Sequence, residues 1–309
     1  MTAVLAAMFA PAPGMAESWS DKPVNYIIPF GDGGESSIAA NIQKPVFKRL
    51  TGQDLVVLNK PGGGGAVVWS QLNKMPGDGS TIVGINLPHI VLQPARGAGY
   101  RTADIAVVHI FHYTPNALVV AENSPYETLA DLIADAAKRP GAIRFSGSGK
   151  GTANHLAQLQ FDKLSGIKTQ YRAYKGTAAS IAALLAGTVD AAWGYLSVAP
   201  KHGDKVRLLG VATQSRHSTA PDTPTFGELG FKMIGGAYRG IALPNSSTDA
   251  LRQQVSDIFA KIGKDAENVA RKQAVGFVPI IVPYRDIPAF MAAREAEYLR
   301  LARGAGLIE

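Results

Sequence analysis

The residues with chemical potential gather in two glycine-rich turns. The first, Phe30-Gly31-Asp32-Gly33-Gly34-Glu35-Ser36-Ser37, follows a β-rich run and precedes a helical pattern. Glycine permits positive φ and lets backbone N–H groups approach a ligand closely. A helix that begins at Ser36 or Ser37 offers unpaired N–H donors and its positive dipole end to an anion. Both serines are also good N-caps, a role in which they only hold the turn. The second turn, Ser146-Gly147-Ser148-Gly149-Lys150-Gly151-Thr152, again joins a strand to a helix. Laid on the phosphate-binding pattern G-x-x-x-x-G-K-[ST] it fails twice, because the first Gly falls on Arg144 and the Ser/Thr on Gly151. Nor does it fit G-x-G-x-x-G. What remains is a nest of N–H groups and hydroxyls suited to a small anion. Two such turns, both at C-terminal strand ends, can close on one ligand.

Groups suited to catalysis are sparse. There is no G-x-S-x-G elbow and no H-E-x-x-H pair. His155, in the first turns of the helix after the second nest, can donate to a carboxylate or serve a cap or core hydrogen bond. His89 and His112 are isolated, and no metal site or cofactor is expected. Trp193 and Tyr195 follow a strand, and either line a cleft or pack in a core; both are included among the ligand-binding residues. Arg239, beside Tyr238, either meets a second ligand carboxylate through a bidentate contact or stands exposed at a hinge. An enzyme would have to rely on isolated His155 or Asp190, so binding without reaction is the expectation.

These turns need a scaffold of alternating strands and helices, and the chain supplies one. Strand patterns at Val24–Pro29, Leu55–Leu58 and Thr81–Ile85 alternate with helical stretches at Ser36–Leu50 and from the Pro61 glycines to Lys74. This βαβαβ rhythm predicts a parallel sheet with helices on both faces. It resumes with a strand at Ala117–Val120 and a helix that carries Leu129, Leu132 and Ile133 and stops at Pro140-Gly141. Strands at Ile143–Phe145, Gln170–Tyr174, Val189–Trp193 and Leu208–Ala212 follow, with helices at Thr152–Leu164 and around Ser180–Leu185 between them. Gly240–Leu243 reads as a return strand, followed by helices Thr248–Ile262 and Ile287–Ala302 with a strand at Val278–Val282 between them. The predicted fold class is α/β: two doubly wound domains joined by two crossover strands, with a ligand cleft between them. Domain 1 comprises 17–116 and 242–309, and domain 2 comprises 117–241.

Bulk properties agree with a globular protein. The chain has 309 residues, 46% hydrophobic and 18% charged, with a formal net charge of +7. Its Lys and Arg are scattered without aromatic interleaving, which argues against nucleic acid and leaves a basic surface that attracts anions. The absence of Cys excludes disulfides, thiolate metal sites and a cysteine nucleophile. An apolar run over Thr2–Ala10 followed by Gly14 and Ala16 suits an export signal at 1–16, although no basic residue precedes it. No stretch of about 20 uncharged apolar residues exists to span a bilayer.

Further segments come in a characteristic order: Tyr26–Phe30 with Gly33-Gly34, Asn59–Gly65, Gly77–Thr81, Leu118–Val120, Ser146–Thr152 with His155, Tyr174–Thr177, Leu184–Gly187 with Val189-Asp190, and Pro221–Thr225 with Glu228 and Gly230. Together they resemble the periplasmic substrate-binding receptors of tripartite tricarboxylate transporters, the Bug family, from about residue 20 to the C-terminus. The resemblance implies a periplasmic binding protein fold of the Venus-flytrap type. It also implies a periplasmic location, a monomer, a small organic acid ligand and the membrane subunits of a transporter as partners. It sets the ligand carboxylate between a jaw formed by Phe30–Ser37 and one formed by Ser146–Thr152, His155 and the turn Lys175-Gly176-Thr177 with Ala178. Asn86 and Tyr174 complete the implied ligand set. The chain departs from the family in having Ser37 where Asp is common and Asn41 where Arg is common. Losing that Asp makes an amino-acid ligand harder to transfer, with Glu35 and Asp32 as partial substitutes. A ligand-sensing module or a cleft enzyme are the alternatives.

Overall fold

The computed structural model describes residues 21–309, so the export signal expected over 1–16 lies outside the described residues. The first lobe opens with β1 (Val24–Ile28), whose apolar run is almost wholly buried. Helix α1 (Glu35–Thr51) follows, stopped by Gly52 at φ 75° in the left-handed conformation that favours glycine. Then come β2 (Leu55–Asn59), the four-residue α2 (Ala66–Trp69), β3 (Thr81–Leu87) and the short α3 (His89–Leu92). The helix expected to continue to Lys74 is only these four residues and a separate 3₁₀ turn at Leu72–Lys74. Gly63, Gly64 and Gly65 all have positive φ just before it, and the loop they form stands where further helix would run.

Strand β4 (Ala106–Ala121) is the long element that joins the lobes, and the expected Ala117–Val120 is only its end. The second lobe contains α4 (Leu129–Lys138), β5 (Arg144–Gly147), α5 (Ala153–Ser165), β6 (Gln170–Ala173), α6 (Thr177–Leu185), β7 (Ala191–Tyr195), α7 (Val198–His202) and β8 (Val206–Val211). The chain returns through β9 (Gly236–Leu243) to α8 (Asp249–Lys264), α9 (Ala266–Ala274), β10 (Val278–Val282) and α10 (Ile287–Gly304). Helix α9 was not foreseen, because its sequence Ala-Glu-Asn-Val-Ala-Arg-Lys-Gln-Ala lacks an apolar stripe.

The strands run in the order β2-β1-β3-β9-β4-β7-β5-β6, with β10 and β8 also paired to β4. The β2-β1-β3 and β6-β5-β7 groups are parallel, as the βαβ rhythm requires. Strands β4 and β9 run against them, so both sheets are mixed and not purely parallel. β4 pairs with β9 through Pro115 and with β7 from Asn116, so the switch between sheets falls within this one strand. β9 pairs with β4 from Gly236 onward, which puts the return to the first sheet six residues before the expected 242. The first core centres on Tyr26, Phe47, Phe111 and Phe259, the second on Phe145, Phe161, Trp193 and Phe226. Each sheet thus has its own core, and β4 and β9 leave both glycine turns facing the gap between them.

Candidate functional site

The first turn is braced by its own side chains. Asp32 Oδ1 accepts from the Gly33 N–H at 2.8 Å and from Ser37 Oγ at 2.5 Å, and these two bonds hold its carboxyl below the usual range. Ser37 is therefore a strut of the turn. Asn86, at the end of β3, donates Nδ2 to Ser36 Oγ at 3.1 Å. Phe30 lies edge-on to His89, with ring centres 5.6 Å apart. Opposite, the second turn is tied to its own lobe. Thr152 caps α5 and donates Oγ1 to the Gly149 carbonyl at 2.8 Å. His155 Nδ1 accepts the Gly151 N–H at 3.2 Å while its ring packs on Tyr171. Burial, with help from Arg96 and Lys150, holds that imidazole down to about 4, so it is neutral and acts as an acceptor.

Ser146 is fully buried and accepts from Ser180 Oγ at 2.8 Å, between β5 and α6. A Cβ on Gly147 would come 2.1 Å from the Tyr171 hydroxyl, so this glycine answers to packing inside the lobe. Trp193, expected among the ligand-binding residues, is instead fully buried, stacked on Phe226 and edge-on to Phe161 in the second core, and lines neither cavity of the seam. Trp193 and Tyr195 share one face of β7, but Tyr195, two residues on, lies at the strand's C-terminal end and borders the inner pocket.

The lobes touch across the cleft through polar contacts. The Gly31 N–H donates to the Lys175 carbonyl at 3.0 Å, and Lys201 Nζ donates to the Gly33 carbonyl. Ser197 Oγ donates to Glu35 Oε1, and Gln93 Nε2 donates to the Lys150 carbonyl at 2.7 Å. Ala178 reaches the same contact, within 3.8 Å of where a Cβ on Gly33 would lie.

Two cavities open along this seam. The outer one has a volume of about 800 Å³, within the range of small-molecule sites. Phe30, Ser148, Gly149 and Tyr174 line it together with Arg96, Lys150 and Lys175, and no carboxylate does. The inner one has only about 10 Å³ of free volume, room for one water-sized group. Gly34, Glu35 and Ser36 at the start of α1 and Thr177 at the start of α6 border it, with Asn86 and Tyr195. Phe30 and Ser148 belong to both cavities, so the two adjoin.

Sequence reasoning missed His89, which lines the inner pocket, and Ser197, which donates to Glu35, and left Arg239 undecided. Arg239 is not an exposed hinge residue: it is 2% exposed, lines the inner pocket and lies 4.7 Å above the centre of the Tyr195 ring. It donates Nη1 to Thr114 Oγ1 at 2.8 Å, while its Nε has no partner. A charged residue inside the apolar strand Gly-Ala-Tyr-Arg-Gly-Ile-Ala-Leu was a usable signal for it. Burial raises the Glu35 carboxyl, opposed by Arg239, the Ser197 hydrogen bond and Lys201. Burial holds His89 well below the normal histidine range, and Arg239 adds to the effect. Among the described residues no cluster of His, Asp or Glu is placed to hold a metal ion, and no helix is long and apolar enough to cross a membrane.

Residues 38–295 match the family described as the tripartite tricarboxylate transporter family receptor. Protein BugT of Bordetella pertussis is 24% identical over 312 aligned residues, covering 96% of this chain and 93% of the relative. The solved structure of the periplasmic binding protein BugD superposes with a TM-score of 0.88 at 22% identity, covering 94% of this chain and 99% of that one. The structure of R. palustris Rpa4515 with adipate does so with a TM-score of 0.88 at 24% identity and the same coverage, 94% and 99%.

Proposed function

Because the chain belongs to the tripartite tricarboxylate transporter receptor family, we propose that it captures a small organic carboxylate between its lobes and delivers it to the membrane subunits of such a transporter. It is a periplasmic solute receptor and not an enzyme. The observation that carries the ligand class is the outer cavity, which three cationic residues and a glycine-rich backbone line and no acidic residue does. Charge-assisted hydrogen bonds to a carboxylate are stronger there than neutral ones, and exclusion of water by the closed lobes strengthens them further. The adipate carried by Rpa4515 supports a ligand of that size and chemistry. Binding favours closure because Lys150 and Lys175 belong to one lobe and Arg96 to the other, so one anion is held fully only when both approach.

A thermal-shift screen of aliphatic and aromatic organic acids tests this reading. At least one acid should raise the melting temperature and be recovered unchanged after incubation. Stabilisation by nucleotides alone, or chemical conversion of the acid, would defeat it. Lys150→Ala should weaken binding of the same acid about 3–10-fold, the worth of one partly exposed charged contact.

A further inference from the structure

The inner pocket already contains an acid. Glu35 is 6% exposed, and its carboxylate is the acid among the residues that line this pocket. It sits where the first residues of α1 and α6 converge, the two helix starts that would otherwise draw a ligand anion. Arg239 is the guanidinium that lines the same pocket, and its charge opposes the rise that burial gives the Glu35 carboxyl. A buried guanidinium requires such a counter-charge, and His89, held neutral, offers none to either partner. Three polar atoms with no accessible surface remain unpaired: Glu35 Oε2, an acceptor; Arg239 Nε, a donor; and His89 Nδ1. A second carboxylate placed here would face Glu35 in a space with little water, and like charges at such range oppose each other strongly. The free volume of about 10 Å³ admits one water-sized group such as a hydroxyl, which can both donate to a carboxylate and accept from a guanidinium.

We propose that Glu35 is a built-in anion of the inner pocket, so that the ligand enters it with a hydroxyl and keeps its carboxylate for the cations of the outer cavity. The receptor's ligand is then a hydroxy acid and not a simple diacid. This rests on the carboxylate-receptor reading above, and the pocket adds which second group the acid carries. The outer end is selected by charge and the inner end by paired hydrogen bonding, a form of recognition that strongly penalises an analogue lacking the hydroxyl.

Titration calorimetry on the purified chain with length-matched probes tests it. The sets are γ-hydroxybutyrate, butyrate and succinate; ω-hydroxyhexanoate, hexanoate and adipate; and para-hydroxybenzoate, benzoate and terephthalate. In the set that fits the cavity, the hydroxy acid should bind at least about tenfold tighter than both companions. Glu35→Gln removes the resident charge, and the matching diacid should then gain at least about tenfold over its affinity for the unaltered chain. A diacid that equals or exceeds the hydroxy acid on the unaltered chain overturns the inference and leaves the carboxylate reading standing. So does an unsubstituted acid that binds as well as the hydroxy acid. Failure of every probe to bind, with no other organic acid stabilising the chain, overturns both. The comparison on the unaltered chain decides the matter even if Glu35→Gln folds poorly.

Discussion

Lys272 is fully buried on α9, its Nζ lies 4.6 Å from the centre of the Phe111 ring, and that ammonium has no hydrogen-bond partner. Burial pushes its pKa down to about 7. Unfolded lysine titrates near about 10.4, so between these values the unfolded chain binds more protons and stability rises with pH. Lys272→Met keeps the volume and loses the charge. It should raise stability near neutral pH by about 1–3 kcal/mol and flatten the rise towards about pH 10. Urea denaturation at two pH values measures both effects, and a variant no more stable at neutral pH would refute the account. His112 behaves as the acid-side counterpart. Both ring nitrogens lack partners, and the ring stacks 4.3 Å from Phe277. Burial first, then Lys272 and Arg239, hold it well below the normal range. The unfolded chain alone takes up this proton, so its contribution is present above about pH 6.5 and lost as pH falls. His112→Phe should remove about 1 kcal/mol per pH unit of acid destabilisation below that point, visible as converging denaturation midpoints.

Strand β9 links the scaffold to the site, because it carries Arg239 and packs unusually close to β4. A Cβ at Gly240 would stand 2.1 Å from the His109 carbonyl oxygen, and one at Gly236 would stand 2.2 Å from that of Thr114. The nearest atom at each position is backbone, with Ile110 and Tyr113 side-chain atoms close behind. Gly240→Ala should therefore destabilise the chain by about 2–4 kcal/mol and displace Arg239 enough to weaken ligand binding. Chemical denaturation and calorimetry on the same sample check the two effects, and a stable variant would mean that β4 can retreat. The register shifts in the β4–β9 pairing, between Val107 and His109 and between Ile110 and His112, lie beside this approach. Little of this was visible in the sequence. Glycines in a strand pattern hint at close backbone approach, but the partner that approaches lies more than a hundred residues away.

Across the cleft the two lobes meet through a few polar contacts, while most of the apolar packing belongs to one sheet or the other. Such an interface opens and closes at small cost, and a ligand that binds only the closed form shifts the balance. Gln93 donates across the seam to Lys150, beside the outer cavity. Gln93→Ala should lower ligand affinity about 3–10-fold, the net worth of one hydrogen bond, and leave the unfolding midpoint of the free chain nearly unchanged. Solution scattering should also show a smaller radius of gyration once a stabilising acid is added. An unchanged radius would reject closure by the ligand.

What the residues determined alone follows from local physics. The βαβ rhythm, the two glycine turns and the ordered motifs specified the fold and the seam, because period, turn chemistry and helix starts are properties of neighbouring residues. Glu35 and Tyr195 were expected among the ligand-binding residues from their places after strands and Asn86 from the family resemblance, and all three border the inner pocket. Tertiary structure decided the rest. It set Trp193 in a core and Tyr195 in the cleft, although two residues separate them, and turned Ser37, Thr152 and His155 into struts of their own turns. It also brought Arg239 and Ser197 to Glu35 from distant strands and helices. Charge balance in a buried pocket depends on which groups converge in space, and no spacing along the chain encodes that sum.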